Sequence, residues 1–572
     1  MTLRIGLAAL AMLLVLPTVS AQGVSETTPR RPVTTAIALT NARVVQAPGR
    51  VLDRATVVIR EGRIVAVGAD AKVPFDARVI EADSLTVYAG FVDALGYAGV
   101  PKPEDPPRYE GDRGDPPRQR AGILPDRDVR DAYDPSDSAI KALRDAGFTA
   151  AHVAPRDGLF SGQGSVVLLR ETGRMEDTEG VVLAGPLSLI ARIDTAPGVY
   201  PSTPMGVLSV MRETVENTRR QRAAEEAYAR NPGSTVRPRY DPVLTGLDPL
   251  IDGDRQLVFA VDGWLDSFRA LRATEEMDLN PILAGVSDAG PLLDKLSASG
   301  TPIFAPLTLP DTVKADSLAL AVDLPAVTAP GGVSFVTSRR TVSYRDTDEE
   351  RTALVAQQRA AVLRAEESPS RLADAEIPFA FASLDAKPTD IRTNLRRMIA
   401  AGLAPDDALA ALTTSPARLL GLDAVLGTVE TGKLANLIIT TGDVFADTTD
   451  IRFVLVEGEV YEVDKAKKAS SDDSTITAVG SWDFSVPEAE QFGTFVLEED
   501  SGALTGTITQ ADGTTDEIAN ASLDGNTLTF QVEVEGVGTA TVTGTITGQE
   551  FDGTVAIGAV GSFAMTATRR PE

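Results

Sequence analysis

The chain carries the run TVYAGFVDALGY at residues 86–97, and this stretch decides the fold that the sequence predicts. Its apolar residues predict a buried strand. Toward the end of that strand stand Leu95 and Tyr97, neither of which can donate an imidazole nitrogen to a metal. His152 is the only histidine among the 572 residues. A metal that generates hydroxide needs several fixed nitrogen or oxygen ligands, so the single histidine cannot form a site of several imidazoles.

Strand-like segments flank this run on both sides. Residues 39–44 and 57–68 predict alternating strands that are joined through a Glu-Gly turn. Toward the other end, residues 408–422 predict a helix, and residues 426–439 and 454–461 predict strands once more. The chain therefore returns, after a long middle segment, to the kind of structure with which it began.

In this order and spacing the segments resemble the amidohydrolase superfamily, most closely its secreted, imidazolonepropionase-like branch. Residues 146–156, 160–167 and 256–272 add to the likeness, which extends over roughly residues 36–465. The resemblance implies an α/β fold with a (β/α)8 TIM-like barrel. It places the barrel at residues 87–424 and a flanking β-sandwich, built from both ends, at residues 36–86 and 425–464.

The resemblance also implies a zinc site whose ligands this chain lacks. Family members bind metal through two strand-one histidines, a lysine or glutamate of a middle strand, histidines of strands five and six, and a strand-eight aspartate. The corresponding strand-one positions hold Leu95 and Tyr97, Ala260 replaces the strand-five histidine, and no histidine lies near residues 281–285. No lysine occurs between Lys141 and Lys295, so the middle strands cannot supply a carbamate. We therefore expect no zinc or other cofactor.

Asp385 is the one family ligand with a counterpart here, and it is the candidate catalytic residue. A carboxylate-only site for Mg²⁺ or Ca²⁺ stays open, because hard cations accept oxygen ligands. Its candidate ligands near predicted strand ends are Asp93, Asp262, Asp288 and Asp385.

Motif position gives the candidate substrate-binding residues, which are Asp93, Tyr97, His152, Arg156, Ser161 and Gln163. His152 has two interpretations: a polar group that lines a pocket near Arg156, or a histidine that is packed and hydrogen-bonded at a strand end. Arg156 could pair with a carboxylate of a ligand. A Ser–His hydrolase would need a hydroxyl beside His152, and the chain has no Gly-x-Ser-x-Gly motif.

Composition and termini predict an exported protein. Residues 1–21 have the positive, apolar and small-residue regions of a cleaved signal peptide, and residues 22–35 predict a disordered polar lead. We expect a periplasmic or secreted protein with no membrane span after cleavage. The net charge of −27 argues against nucleic acid as a partner. There is no cysteine, which excludes disulfides and a lipid-modified cysteine.

Two further segments stand out along the chain. Residues 101–137 are an acidic, proline-rich insertion that could cover the pocket or could be only a solvated loop. Residues 465–476 predict a linker, and residues 477–572 contain short alternating strands at roughly even spacing. The latter predict a small lipocalin-like antiparallel β-barrel, either holding a ligand or, as we favour, filled by its own side chains.

These observations leave two functions open. The first is a non-catalytic, pseudoenzyme form of the family that binds a small-molecule ligand or a partner. The second is a hydrolase acting on carbon–nitrogen bonds, such as non-peptide or cyclic amides, through atypical metal ligands. The retained scaffold is compatible with a homo-oligomer or with a hetero-oligomer formed with an active amidohydrolase relative.

Overall fold

The computed structural model describes residues 36–103, 106–171, 180–310, 344–463 and 478–570, the last range with short gaps at 487–490, 501–502, 511–513, 525–526, 535–537 and 558–560. The chain divides into two compact units, residues 1–464 and 465–572. The predicted signal peptide, polar lead and linker lie outside the described residues. Among the helices that are described, none is long and apolar enough to cross a membrane.

Strands from both ends of the first unit form one composite sheet. Its members are β1 (Ala36–Ala47), β2 (Arg50–Arg60), β3 (Arg63–Gly68), β4 (Arg78–Glu81), β5 (Thr86–Ala89), β14 (Leu437–Thr440), β15 (Ile451–Val456) and β16 (Glu459–Glu462). The order is β16-β15-β14-β5-β1-β2-β3, and β4 pairs with the first part of β1. β1 pairs with β4 along its first part and then with β5. The composite sheet has an apolar core of its own, which includes Leu39, Val57 and Ile439.

The middle of the first unit forms a barrel. Its strands, in sheet order, are β6 (Phe91–Gly96), β7 (Phe148–Val153), β8 (Phe160–Leu168), β9 (Val182–Arg192), β10 (Gln256–Ala260), β11 (Pro281–Ala284), β12 (Ile303–Pro306) and β13 (Phe379–Ala382). The sheet closes where Gly96 forms a β-bridge with Leu384, whose N–H donates to the Leu95 carbonyl at 3.0 Å. The predicted α/β barrel class is confirmed.

The third barrel strand departs from the expected (β/α)8 pattern. β8 runs antiparallel to both β7 and β9, whereas the other neighbouring strands are parallel. Only residues 154–159 connect β7 to β8. A parallel crossover needs a dozen or more residues, so this short link can join only an antiparallel pair.

The described part of the 101–137 insertion extends the sheet beside β8. The Leu124 N–H donates to the Phe160 carbonyl at 2.9 Å, and the Gln163 N–H donates to the Arg127 carbonyl at 2.7 Å. Because β8 is reversed, its first residues lie at the barrel end where the parallel strands finish. The insertion therefore covers the start of β8.

Helices connect the barrel strands and surround them. They are α1 (Ser138–Asp145), α2 (Pro204–Arg230), α3 (Pro242–Ile251), α4 (Gly263–Glu276), α5 (Leu293–Ser299), α6 (Tyr344–Asp374), α7 (Pro388–Ala400), α8 (Pro405–Leu412) and α9 (Thr414–Leu419). α1 begins where the Asp137 carboxylate accepts a hydrogen bond from the Ala139 N–H at 2.9 Å. α2 begins after Thr203 with a proline in its first turn, a position that proline favours.

The second unit is a closed antiparallel barrel whose neighbouring strands are consecutive in the chain. The strands are β17 (Gly480–Val486), β18 (Gln491–Asp500), β19 (Ala503–Gln510), β20 (Thr515–Asp524), β21 (Thr527–Val534), β22 (Gly538–Thr547), β23 (Glu550–Ile557) and β24 (Gly561–Arg569). The buried ring of Phe495 lies 5.4 Å from Phe530, 6.0 Å from Trp482 and 6.3 Å from Phe551, centroid to centroid. These aromatic side chains occupy the interior, which supports the interpretation of a barrel filled by its own residues.

Candidate functional site

A pocket of about 480 Å³ opens at the end of the first barrel where the parallel strands finish. Ligands of (β/α)8 proteins bind at this face of the barrel. The polar and charged side chains that line the pocket are Arg192, Asp194, Asp262, Asp266, Ser287, Thr308 and Asp385. Its small apolar lining residues include Ala260, which ends β10, and Ala284, which ends β11.

Tyr97, which follows β6, joins two guanidinium groups at this end of the barrel. The guanidinium of Arg156 lies over the Tyr97 ring, 4.4 Å from its centroid. Arg192 Nη1 donates a hydrogen bond to the Tyr97 hydroxyl at 3.0 Å. The tyrosine is only 6% exposed, so burial holds its ring between these partners. A position that would carry a metal ligand in the family thus organises a network of arginines.

Arg156 and Asp385 form an ion pair at this end of the barrel. Arg156 follows β7 and Asp385 follows β13, and Arg156 Nη1 donates to Asp385 Oδ1 at 2.8 Å. Arg156 Nη2 also donates to the Tyr97 carbonyl at 3.3 Å. Because its guanidinium is engaged by protein groups, Arg156 is less suited to hold a ligand carboxylate than the sequence suggested.

Arg192, like Asp194, Asp266, Ser287 and Thr308, is a pocket residue that sequence analysis did not single out. It is the last residue of β9, and its Nε lies 2.9 Å from Asp194 Oδ2. Burial raises the pKa of Asp194, and repulsion from Asp262 acts in the same direction. A charged residue at the carboxyl end of a barrel strand was the available signal, but the bounds of β9 were needed to see it.

Asp93 lies inside the barrel wall and does not line the pocket. Its Oδ1 accepts hydrogen bonds from the Ser383 N–H at 2.8 Å and the Leu95 N–H at 3.2 Å, and its Oδ2 accepts one from the Ser383 hydroxyl. Complete burial raises the pKa of Asp93 to about 6, although these hydrogen bonds act in the opposite direction. The carboxylate therefore ties the first barrel strand to the segment after the last one.

His152 is fully buried within β7, in accordance with the packed interpretation. Its Nδ1 lies 2.8 Å from the Ala94 carbonyl, which can only accept, so Nδ1 carries the proton. Nε2 then accepts from the Ser188 hydroxyl at 2.8 Å. Burial lowers the pKa of His152 to about 4. Because Ser188 is also completely buried, this Ser–His pair cannot reach a substrate.

Ser161 and Gln163 also lie away from the pocket. The Ser161 hydroxyl donates to the Gly158 carbonyl at 2.9 Å, and the Gln163 side-chain amide donates to the Pro125 carbonyl at 3.0 Å. Both side chains therefore donate their hydrogen bonds to backbone carbonyls of loops. The partner of Gln163, Pro125, belongs to the insertion that covers β8. Of the candidate residues, the structure brings together Tyr97, Arg156 and Asp385.

The residues that the resemblance aligns with the family's metal ligands do not fit zinc. Leu95, Ala260 and Ala284 offer no donor side chain, and no group of three or more His, Cys, Asp or Glu among the described residues could hold a metal ion. Of the four carboxylates considered for a hard cation, Asp262 and Asp385 line the pocket, whereas Asp93 and Asp288 do not. Asp93 faces Ser383, and Asp288 Oδ2 accepts from Arg364 Nε at 3.1 Å.

Comparisons with known proteins agree with this barrel. The model of the amidohydrolase family matches residues 373–464. An amidohydrolase from Thermotoga maritima MSB8 has a similar structure, with 19% identity, coverage of 74% of this chain and 100% of that chain, and a TM-score of 0.57. A putative prolidase from Bifidobacterium longum is 15% identical, with coverage of 74% and 94% and a TM-score of 0.43. Among curated proteins, no sequence matches. The likeness to the Thermotoga maritima structure shows that the first unit has the fold of an amidohydrolase, and residues 373–464 match the model of the amidohydrolase family.

Proposed function

We propose that this chain is an exported, non-hydrolytic form of the amidohydrolase fold that binds a small polar ligand in the barrel-mouth pocket. One observation carries the proposal: the pocket is retained, but Leu95, Tyr97 and Ala260 stand at metal-ligand positions. In the family, the metal supplies the hydroxide that attacks the substrate. Without donors to hold that metal, the pocket keeps its capacity to bind and lacks the nucleophile.

The charges of the pocket support a polar ligand. The carboxylates of Asp266 and Asp385 are each paired with an arginine, at 2.7 and 2.8 Å. Arg192 remains as the cation that lines the pocket, close to the carboxylates of Asp194 and Asp262. A ligand that both donates and accepts hydrogen bonds would match this lining, whereas an apolar ligand would leave these groups without partners.

Hydrolysis of carbon–nitrogen bonds is the second candidate, and the family match over residues 373–464 favours it. This function needs an activated water, and Asp385, the counterpart of the family's strand-eight aspartate, is already bonded to Arg156. The buried Ser188–His152 pair offers no accessible substitute. We therefore place hydrolysis second. The proposal of export rests on the signal-peptide pattern of residues 1–21. A hetero-oligomer with an active amidohydrolase relative would form through the surface that the scaffold retains.

Thr308→Trp tests ligand binding, because Thr308 is exposed and lines the pocket. The indole is expected to fill the opening without disturbing the core. Native mass spectrometry of protein purified from its own host should show a bound small molecule on the wild-type chain and none on Thr308→Trp. Thr235→Trp, at an exposed position that is not part of the pocket lining, should keep the ligand. Equal amounts of bound small molecule on the wild type, Thr308→Trp and Thr235→Trp would contradict the proposal. Metal-dependent amide hydrolysis by the wild type would contradict it as well.

A further inference from the structure

Two arginines connect four strand ends at the barrel mouth. Arg156, which follows β7, contacts Tyr97 after β6 and Asp385 after β13. Arg192, at the end of β9, contacts the Tyr97 hydroxyl and Asp194. We call these five residues the guanidinium clamp. Counted around the barrel, the clamp joins strands one, two, four and eight.

In the family that the fold resembles, a metal joins strand one, a middle strand and strand eight at the same end of the barrel. We infer that the guanidinium clamp replaces the metal as the cross-link between the strand ends of this site. The two strand-one ligand positions hold Leu95, which is buried, and Tyr97, which is the centre of the clamp. Asp385, the counterpart of the family's strand-eight ligand, is bonded to an arginine instead of a metal ion.

Arginine is chemically suited to this task. Its guanidinium presents five N–H donors in a rigid plane, so one side chain can bond groups on two strands and also stack on a ring. Arg156 uses these features together, with Nη1 on Asp385, Nη2 on the Tyr97 carbonyl and its plane over the Tyr97 ring. Lysine, which presents a point charge, could not make this set of contacts.

The clamp also differs from a metal site in its response to solution conditions. A metal site needs deprotonated ligands and is emptied by chelators, whereas a guanidinium stays charged throughout the accessible pH range. The contributions within the clamp are unequal. The Asp385 side chain is 76% exposed, so its ion pair is screened by water, whereas the side chains of Arg156 and Arg192 are 19% and 22% exposed. The contacts with Tyr97 therefore carry most of the cross-link.

Hydrogen exchange at the closure between β6 and β13 tests this inference on the full chain. The reporter is the Leu384 N–H, which donates to the Leu95 carbonyl. Arg156→Gln and Arg192→Gln should each raise its exchange rate by about tenfold, because the strand ends open more often. Arg272→Gln breaks an exposed 3.1 Å pair with Glu276 on α4 and should leave the rate unchanged.

Two further measurements keep the test decisive. Tyr97→Phe removes only the hydroxyl bond to Arg192, so it should fold and raise the exchange rate by a smaller factor than Arg192→Gln does. In the Tyr97→Phe background, Arg192→Gln should raise the rate by a smaller factor than in the wild type. EDTA or added Zn²⁺ should change neither the Leu384 exchange rate nor the melting temperature of the wild type. The inference is overturned if both glutamine variants behave like Arg272→Gln, or if EDTA accelerates exchange at Leu384.

Discussion

The free energy of unfolding is expected to be about 3–5 kcal/mol lower for Asp93→Ala than for Asp93→Asn. Only the asparagine keeps the buried partners of Asp93 hydrogen-bonded. Both substitutions remove the charge. The asparagine oxygen can still accept from the Leu95 and Ser383 N–H groups, and its amide can donate to the Ser383 hydroxyl. The alanine leaves two backbone donors without acceptors inside the barrel wall.

Urea unfolding followed by circular dichroism at 222 nm measures this difference, because the described helices all lie in the first unit. Asp70→Ala is the control, since Asp70 is exposed and its loss should change the free energy of unfolding by less than about 0.5 kcal/mol. A difference of less than about 1 kcal/mol between the alanine and asparagine variants of Asp93 would show that its hydrogen bonds do not hold the barrel closed.

The gain in unfolding free energy from Asp93→Asn is expected to grow with pH, by about 2 kcal/mol between pH 4 and 6. Folding raises the pKa of Asp93 from 3.8 to about 6, so the native state binds more protons than the unfolded state in this window. The contribution of Asp93 to stability is therefore present below pH 3.8 and lost as the pH rises to 6. Asparagine does not titrate, so it avoids this loss.

His152 has the opposite effect on stability in nearly the same window. Burial lowers the pKa of His152 from 6.5 to about 4, so its contribution is present above pH 6.5 and lost as the pH falls to 4. In the wild type, the pH dependences of stability that arise from Asp93 and His152 largely offset each other. The Asp93→Asn variant should therefore show the pH dependence that comes from His152. Unfolding free energies measured at pH 4, 5, 6 and 7 test this point. A difference between Asp93→Asn and wild type that is flat or falls with pH would contradict the assigned pKa of Asp93.

Local sequence patterns predicted many of the strands and helices of the first unit. The helix predicted over residues 408–422 is present as α8 and α9, Ala260 ends the fifth barrel strand, and Asp385 follows the eighth. These features follow from short apolar runs with turn residues between them, so the sequence contains them directly. The composite sheet was also foreseeable, because each of its two parts consists of strands with clear alternation.

The site was only partly predictable, because its geometry depends on contacts between distant segments. Ser161 and Gln163 looked like pocket residues until the insertion proved to pair with β8. The importance of Arg192 depends on the Tyr97 hydroxyl, 95 positions away in the chain. The reversal of β8 was implied by the short link at residues 154–159, but the family pattern suggested a parallel strand.

The metal content of the purified mature protein tests the central claim most directly. The protein would be incubated with excess Zn²⁺, dialysed against metal-free buffer and analysed for zinc by elemental analysis. With Leu95, Tyr97 and Ala260 at ligand positions, we predict far less than one zinc per chain, because a catalytic zinc keeps three protein ligands. One or more zinc ions retained per chain in the first barrel, together with hydrolysis of an amide substrate, would contradict the account.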